Sequence, residues 1–405
     1  MENDLLTRAV EKVIPLDLAK AKLASGEKLR VYLGIDPTGA RLHLGHSVPL
    51  RKLQAFASAG HHVIFLVGSF TARIGDPSGR DTERQPLTEE EIQANLQSYK
   101  NQASKILDFS KVELRENHEW LETLTAKNMI RITSSFTKQR LEQRDMFERR
   151  EKEGAPIHMH EMLYPLLVGY DSVALDVDCE VGGSDQEFNM LAGRTLQQAY
   201  GKREKFILTT KLIEGTDGRK MSKTYNNCIY LTYPPNEMYG KVMSIKDSLM
   251  QIYFECCTDV PMEEIHKLLN NTPEVEAPKK RGRKPTKAKV DTHPREAKAL
   301  LAFEIVTIYH GVEAAKKAEE EFNRVFAKKE TPEDMKEVKV KQGTLLLDVL
   351  VSEGLVKSKA EGKRLIKQKG VKVNDVVVES EEEKVSEGVV RGGKRKFLRI
   401  LFSNS

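Results

Sequence analysis

The sequence predicts an α/β fold with a parallel sheet in the first half of the chain, because short apolar runs alternate there with segments of helical spacing. Residues 28–36 predict one strand, and the continuous apolar run at 61–68 predicts a second strand that is buried on both faces. Residues 45–59 between them have helical periodicity. The three segments form a strand–helix–strand unit, which requires parallel strands.

The same alternation continues to about residue 213. Further strands are predicted at 111–117, 172–183 and 205–213. Helices are predicted at 89–108, 138–152 and 186–200. Residues 1–226 are therefore expected to form one α/β domain.

The chain then becomes helical and ends in a small mixed unit. Helices are predicted at 238–244, 247–255, 262–269, 295–310 and 312–326, which makes 227–327 a helical domain. A Lys- and Glu-rich stretch at 328–342 is expected to be a linker. Residues 343–405 predict two short helices, at 344–352 and 358–369, with short strands after them.

Composition excludes several classes of protein. The chain has 405 residues, is 39% hydrophobic and has a formal net charge of +5. It contains no apolar run near the ~20 residues of a membrane span, and its first residues lack the apolar region of a signal peptide. The four cysteines have no metal-ligand spacing and fit buried or inert thiols in a reducing compartment. These features predict a cytoplasmic protein with no membrane association.

Two histidines open the first predicted helix. The strand at 28–36 is followed by a Pro-Thr-Gly turn and then by His43, Gly45 and His46. Helix N-termini have unpaired N–H groups that bind phosphate, and Gly45 would allow a nucleotide to approach closely. Both imidazoles could donate hydrogen bonds to phosphate oxygens. The pattern predicts a nucleotide site, and packing or capping by the two histidines is the alternative.

A lysine-containing loop follows the last strand predicted for the α/β domain. Residues 217–227 include Lys220 and Lys223 beside a glycine. Two ammonium groups suit a pyrophosphate leaving group. Alone, such a segment is usually a solvated loop. Its position after the last strand, together with the histidine turn after the first, favours nucleotide chemistry.

These two motifs resemble those of class I aminoacyl-tRNA synthetases, and the whole chain resembles the bacterial tyrosyl-tRNA synthetases. Five separated motifs occur in that family's order: YLGIDPTGARLHLGH, GDPSGR, YPLLVGYDS, GGSDQEFN and KMSKT. The similarity covers nearly everything except about 272–292. It implies a Rossmann-like catalytic domain that activates L-tyrosine with ATP and Mg²⁺ and transfers it to its cognate tRNA. It also implies a homodimer, no bound prosthetic group, and a helical domain on the anticodon side of the tRNA.

The resemblance implies roles for individual residues. The reaction needs no protein nucleophile, so catalysis rests on positioning and charge stabilisation. The positions matched to catalysis are Thr38, His43, His46, Lys220 and Lys223. Those matched to ATP binding are Asp36, Gly45, Gly183 and Asp185, with Lys223 again. Those matched to tyrosine binding are Tyr32, Asp76, Asn117, Tyr164, Val168, Asp171 and Gln186, with Tyr32 and Asp171 bonded to the phenol.

Val168 departs from the family pattern, which has glutamine there to help hold the amino group of tyrosine. Valine cannot form a hydrogen bond. Compensation by neighbouring polar groups, weaker tyrosine binding and a different substrate are the three interpretations, with compensation expected.

The C-terminal unit resembles the small α-L RNA-binding domain. Its basic residues lie on or just after the second predicted helix: Lys359, Lys363, Arg364, Lys367 and Lys369. A basic helix suits RNA phosphates, although a solvated charged helix is the alternative. With the resemblance, contact with the elbow or long variable arm of the tRNA is favoured.

A basic loop in the helical domain has three interpretations. Residues 279–289 contain seven Lys or Arg, and the core at 281–285 looks like a hook for a DNA minor groove. A solvated insertion and extra attraction of tRNA are the other interpretations of this loop.

Two other functions of the whole chain are possible alternatives. A tryptophan-specific relative is disfavoured by Tyr32 and Asp171, because indole has no hydroxyl. A non-catalytic RNA-binding protein is disfavoured because both nucleotide motifs are intact.

Overall fold

A computed structural model describes residues 2–78, 87–142, 144–270, 294–326, 335–374, 376–393 and 396–402. The chain divides into two compact units, Met1–Lys316 and Lys317–Ser405. Although 1–226 and 227–327 were predicted as separate domains, the first unit contains all of the former and most of the latter. Arg8 shows how they join, because its guanidinium donates to the main-chain carbonyls of Glu255 and Thr258 at 3.1 and 2.7 Å.

A six-stranded sheet forms the centre of the first unit. Its strands, β1 to β6, are Val10–Ile14, Arg30–Ile35, His62–Val67, Val112–Glu116, Cys179–Gly183 and Phe206–Thr210. The spatial order is β1-β6-β5-β2-β3-β4. Strands β2 to β6 are parallel, as predicted. Strand β1 pairs antiparallel with β6 and was not predicted, because it is an edge strand whose partly exposed, charged sequence has no continuous apolar run.

Helices cover this sheet. In chain order α1 to α10 are Glu2–Leu5, Leu16–Ala24, Leu44–Ser58, Glu89–Ala103, His118–Leu121, Ala126–Thr133, Lys138–Glu142, Asp145–Lys152, Met159–Leu175 and Glu187–Ala199. The strand predicted at 172–183 was wrong in its first half, because 172–175 end α9 and a short apolar run fits a buried helix equally well. The helix predicted at 138–152 is two helices, since Arg144 has an extended backbone.

The remaining helices of the predicted helical domain, α11 to α15, are Pro235–Met243, Met250–Cys257, Met262–Asn270, Pro294–His310 and Val312–Phe326. The predicted insertion at 272–292 and its basic loop at 279–289 lie outside the described residues.

All four cysteines are buried free thiols, as expected. In the described part of the chain, no helix combines the length and apolar character needed to cross a membrane.

The second unit contains a five-stranded sheet and two short helices. Strands β7 to β11 are Glu337–Val340, Val371–Val373, Val376–Val377, Gly388–Gly392 and Lys396–Phe402. Helices α16 and α17 are Leu346–Ser352 and Lys359–Lys367. The expected linker at 328–342 was too long, because β7 lies within it and pairs parallel with β11. Alternating charged residues hid this strand, whose side chains are exposed or only partly buried. Leu350, Ile366, Val390 and Leu398 lie in the core of the unit.

Candidate active site

The candidate site lies where the strand order of the first sheet reverses. Strands β3 and β4 lie on one side of β2, and β5 and β6 lie on the other. In open parallel sheets, ligands bind outside the carboxyl ends of strands at such a point. Asp36 follows β2 directly, Thr38 lies in the next turn, and Gly183 ends β5. The fold therefore brings the three predicted residues to one edge.

The two histidines meet at the start of α3. The main-chain N–H of His43 donates to Nδ1 of His46 at 3.2 Å, and the ring centroids are 3.8 Å apart. Capping, the alternative left open by the sequence, is thus present. It leaves the buried Nδ1 of His43 without a hydrogen-bond partner among the described residues. A Cβ on Gly45 would lie 3.0 Å from the His43 ring, so this glycine makes room for the imidazole.

Both imidazoles are neutral at physiological pH. Burial, helped by the nearby charges of Lys223 and Lys220, lowers the pKa of His46 to about 3. Burial, the neighbouring His46 and the same lysines lower the pKa of His43 as well. Because Nδ1 of His46 accepts a hydrogen bond, the proton of this neutral ring lies on Nε2. His46 therefore presents an N–H donor without a positive charge.

We expect His46 to remain neutral between about pH 5 and pH 8, where an ordinary imidazole titrates. The unfolded chain would bind this proton below about pH 6.5, so the contribution of His46 to stability is lost as the pH falls below that value. Histidine side-chain NMR across this range, with His46→Gln to assign the signal, measures the protonation state. A titration midpoint near 6.5 would contradict the assignment.

The lysine loop folds back towards the start of α3. The ammonium of Lys220 donates to the carboxylate of Asp185 at 2.9 Å. The Nζ atom of Lys223 lies 2.9 Å from the place where a Cβ on Gly39 would be. Met221 between the two lysines is buried. The loop thus brings one lysine beside the end of β5 and the other beside the turn after β2.

Asn227 holds this loop in shape. Its buried side chain donates to Asp217 at 2.7 Å and to the main-chain carbonyl of Lys220 at 3.1 Å. It also accepts from the main-chain N–H of Ser222 at 2.8 Å. These contacts fix the backbone on both sides of Met221, so the two lysine side chains start from a defined position.

Asp36 is the centre of a chain of polar contacts. Its carboxylate accepts hydrogen bonds from Tyr164 at 2.9 Å and from Thr71 at 2.7 Å. The side-chain amide of Asn117 donates to Thr71 at 3.0 Å and to Asp171 at 3.2 Å. Four predicted residues, Asp36, Tyr164, Asn117 and Asp171, are therefore linked. Thr71, which was not predicted, joins Asp36 to Asn117.

Asp171 is buried at the end of this chain. The indole N–H of Trp120 donates to it at 2.8 Å, and burial raises its pKa well above the ordinary value. Sequence reasoning missed Thr71 and Trp120. A signal existed, because they follow the carboxyl ends of β3 and β4, the same edge of the sheet as Asp36.

A second polar group surrounds Asp76. Gln186 donates to its carboxylate at 2.8 Å, and Asn189 donates to the Gln186 oxygen at 2.7 Å. Arg144 is buried and donates to Ser78 at 2.7 Å. The structure thus joins the predicted Asp76 and Gln186. It adds Ser78 and Asn189, which lie in the quoted motifs but were given no role, and Arg144, which lies outside them.

The remaining predicted pocket residues lie on α9 and β2. Val168 shares a helix face with Tyr164 and Asp171, and its side chain is partly exposed. Tyr32 is buried, and its hydroxyl forms a hydrogen bond with Ser172 at 2.9 Å. Tyr32 and Asp171, which were predicted to share one ligand hydroxyl, thus each have a protein partner of their own.

The predicted basic residues of the second unit are exposed on and after α17. Lys359 pairs with Asp348 at 2.7 Å, and Lys369 pairs with Glu379 at 3.4 Å. Lys363 and Lys367 share Glu381, at 2.9 and 3.3 Å. Arg364 lines a surface cleft beside them. Exposed pairs of this kind contribute little stability, so the cations can exchange carboxylates for other anions.

Comparison with known proteins yields two family matches and many relatives. The model of class I tRNA synthetases (W and Y) matches residues 24–327, and the S4 domain model matches 345–390. A tyrosine–tRNA ligase of Thermotoga maritima is 45% identical over 98% of this chain and 96% of its own length. That of Carboxydothermus hydrogenoformans is 43% identical, with coverages of 98% and 97%. The fold is similar to that of tyrosyl-tRNA synthetase from Archaeoglobus fulgidus, whose crystal structure contains L-tyrosine. The TM-score is 0.59 at 20% identity, covering 78% of this chain and 98% of that one.

Proposed function

The chain belongs to the tyrosine–tRNA ligases, a family of class I aminoacyl-tRNA synthetases, and we propose the part that each group plays in activating L-tyrosine with ATP and transferring it to tRNA. One observation supports the assignment most directly. The histidines, the lysine loop and the polar chain of Asp36 all meet at the carboxyl edge of β2 and β5. Residues 1–226 would perform activation, and the rest of the chain would contact tRNA.

The histidines and lysines act on the phosphates of ATP. The tyrosine carboxylate attacks the α-phosphorus and pyrophosphate leaves, so negative charge increases on the phosphate oxygens. Neutral His43 and His46, with the Thr38 hydroxyl, donate hydrogen bonds to these oxygens. Lys220 and Lys223 bind the departing pyrophosphate. Neutral donors suit this task because they stabilise the growing charge without holding the ground-state phosphates as strongly as a cation would.

The carboxyl end of β5 holds the nucleoside. Gly183 and Asp185 would bind the ribose, and Gly183 allows this because a Cβ there would lie 2.6 Å from the Asp185 carboxylate. Lys220 pairs with this same carboxylate in the free protein. The pair is about half exposed and therefore weak. ATP would separate the two groups, with its ribose meeting the carboxylate and its phosphates meeting the ammonium.

The tyrosine pocket uses the two polar groups described above. Tyr32 and Asp171 bind the substrate hydroxyl, while Asp76, Tyr164 and Gln186 bind its ammonium. Asn117 holds the Asp171 carboxylate in place. A site that bonds a substrate hydroxyl rejects the analogue without it, and tyrosyl-tRNA synthetases are themselves the standard example of this rule.

ATP would arrive with Mg²⁺, which prefers oxygen ligands and keeps several waters. Among the described residues, no group of three or more His, Cys, Asp or Glu is arranged to hold a metal ion. We therefore assign the ion to the ATP phosphates.

We also propose a homodimer, since the adjacent helices α6 and α9 each expose a large apolar side chain, Ile130 and Met159. Four free thiols favour a cytoplasmic location.

Pyrophosphate exchange tests the proposed function. The purified protein is incubated with ATP, labelled pyrophosphate and one of tyrosine, tryptophan or phenylalanine. Rapid exchange is expected with tyrosine alone. Exchange with tryptophan alone would make the enzyme a tryptophan-specific relative. Exchange with none of the three would favour a non-catalytic RNA-binding protein on this fold.

Val168→Gln is expected to change tyrosine affinity by less than about tenfold, or roughly 1.4 kcal/mol. Asp76, Tyr164 and Gln186 already offer polar partners for the ammonium, so the family glutamine would add little. Calorimetric titration of both proteins with tyrosine measures the difference, and Val168→Leu controls for side-chain volume. A much larger gain in the Gln variant would mean that nothing compensates in the natural pocket.

A chain that ends at Phe326 is expected to form tyrosyl-adenylate at the normal rate but to charge tRNA roughly 10- to 100-fold less efficiently. The cut precedes β7 because that strand belongs to the second sheet. Aminoacylation at limiting tRNA measures the loss. Full-length Lys363→Ala/Lys367→Ala serves as a matched variant and should show a smaller loss in the same direction. Normal charging by the truncated chain would refute the assigned role.

A further inference from the structure

Three buried polar side chains with no role assigned above surround the hydroxyl of Tyr32. They are Ser172 on α9, Glu180 on β5 and Lys205 just before β6, and none is more than 5% exposed. Tyr32 and Glu180 are register partners on adjacent parallel strands, so their side chains lie on the same face of the sheet. Buried charges are costly unless they are paired and hydrogen-bonded, which makes this cluster unusual for a core.

The contacts in the cluster form a branched network. The Lys205 ammonium donates to the Ser172 hydroxyl at 2.6 Å and forms an ion pair with the Glu180 carboxylate. The Ser172 oxygen lies 2.9 Å from the Tyr32 oxygen and 3.4 Å from the nearer Glu180 oxygen. Lys205 and Tyr32 are therefore connected through the hydroxyl of Ser172, and the ammonium also lies 5.7 Å from the centroid of the Tyr32 ring.

Helix α10 leaves space for this network through Gly193. A Cβ at that position would lie 2.5 Å from the Ser172 hydroxyl and 2.6 Å from the Lys205 ammonium. Both distances are too short for a methyl group beside a polar atom. The fold thus accommodates the serine and the lysine together only because residue 193 has no side chain.

Hydrogen-bond counting leaves two arrangements for the hydrogens of this network. An ammonium can only donate, so Lys205 occupies a lone pair of Ser172. In the first, the second lone pair of Ser172 accepts the Tyr32 hydrogen and the Ser172 hydrogen goes to Glu180 at 3.4 Å. In the second, the Ser172 hydrogen goes to the nearer Tyr32 oxygen at 2.9 Å. In the second arrangement Tyr32 receives the hydrogen, so its own hydroxyl hydrogen is available to another acceptor. Glu180 balances the lysine charge through the ion pair.

We propose that Lys205, through Ser172, is a positioning residue that orients the Tyr32 hydroxyl to donate to the oxygen of the substrate phenol. This inference rests on the proposed function, in which Tyr32 and Asp171 bind that phenol. The donors then run in one direction, from Lys205 through Ser172 and Tyr32 to the substrate, whose own hydrogen goes to Asp171. Successive bonds of this kind polarise and strengthen one another. This series of hydrogen bonds selects a ligand group that accepts one hydrogen bond and donates another, which is a hydroxyl.

The test compares Lys205→Met/Glu180→Gln and Ser172→Ala, each made in the wild type and in Tyr32→Phe. The first variant removes both charges together, so no unpaired charge is buried. The ammonium polarises the Ser172 hydroxyl, which makes Ser172 a better donor to Tyr32 and a poorer acceptor from it. Without the lysine, Ser172 accepts the Tyr32 hydrogen more readily and draws it away from the substrate. Pyrophosphate exchange should show KM for tyrosine raised roughly three- to tenfold in both variants. The kcat value, KM for ATP and the slow exchange with phenylalanine should each change by less than twofold.

The Tyr32→Phe background separates positioning from a general loss of structure. There the same substitutions should alter KM for tyrosine by less than twofold, because the hydroxyl that they orient is gone. Equal effects in both backgrounds, or equal effects on tyrosine and phenylalanine, would overturn the inference. An effect of Ser172→Ala alone would assign the role to the serine and overturn the part given to Lys205. Absence of tyrosine-dependent exchange in the wild type would instead contradict the proposed function itself.

Discussion

His46→Ala and Lys223→Ala should each lower the rate of tyrosyl-adenylate formation by about 100- to 1,000-fold, with tyrosine affinity changed by less than about threefold. His46 offers a neutral N–H donor at the start of α3, and Lys223 lies beside the turn after β2. In the proposed mechanism both groups meet charge that develops only in the transition state, so we expect their removal to act on the rate and not on ground-state binding. Single-turnover fluorescence measures the rate, and equilibrium dialysis measures tyrosine affinity.

Surface residues of the same types provide the controls for these two substitutions. Lys202 is exposed, and His62 pairs with Glu113 at the surface of the first unit. Alanine at either position should leave both the rate and the affinity unchanged. A normal rate of adenylate formation in both active-site variants would remove the histidine and the lysine from the catalytic assignment.

Lys205→Met is expected to lower the free energy of unfolding of the first unit by about 3–5 kcal/mol. The substitution leaves Glu180 as a buried carboxylate without its cation, and a buried charge with no partner is strongly destabilising. Urea unfolding followed by tryptophan fluorescence measures the change. Trp120 is the single tryptophan of the chain and belongs to the first unit, so the signal reports that unit alone.

Two further variants separate the charge effect from a change in packing. Lys205→Met/Glu180→Gln should recover most of the lost stability, because the carboxylate is neutralised together with its partner. Lys202→Met, at an exposed site, should stay within about 0.5 kcal/mol of the wild type. If the double variant were as unstable as Lys205→Met, side-chain shape and not the unpaired charge would explain the loss.

Most of the parallel strands were predictable because they are short apolar runs bounded by helical segments. Strand β4, whose sequence VELRE mixes charged and apolar residues, was predicted from its place in the alternation of strands and helices. Edge strands β1 and β7 were not, since their partly exposed residues mix charged with apolar side chains and their pairing is decided by distant strands. The end of α9 was misread for a related reason: a buried helix turn and a buried strand have the same apolar composition.

The motifs contain the residues that we propose contact the substrates, but they did not indicate the residues that hold those side chains in place. His43, His46, Lys220 and Lys223 stand in short segments with recognisable spacing. The contact of Ser172 with Lys205 joins positions 33 residues apart, and Tyr32 lies 140 residues from Ser172. In the sequence Lys205 is one of several charged residues at 202–205, and only its burial in the folded chain distinguishes it.

Gly193 has a consequence for how this protein can change during evolution. Its missing side chain leaves the space in which the Ser172 hydroxyl and the Lys205 ammonium meet. A larger residue at 193 is compatible only with smaller side chains at both 172 and 205, because its Cβ would lie 2.5 Å from the serine oxygen and 2.6 Å from the lysine nitrogen. Substitutions at positions 172, 193 and 205 should therefore be correlated among descendants of this sequence, and a mutation of Gly193 alone should be purged by selection.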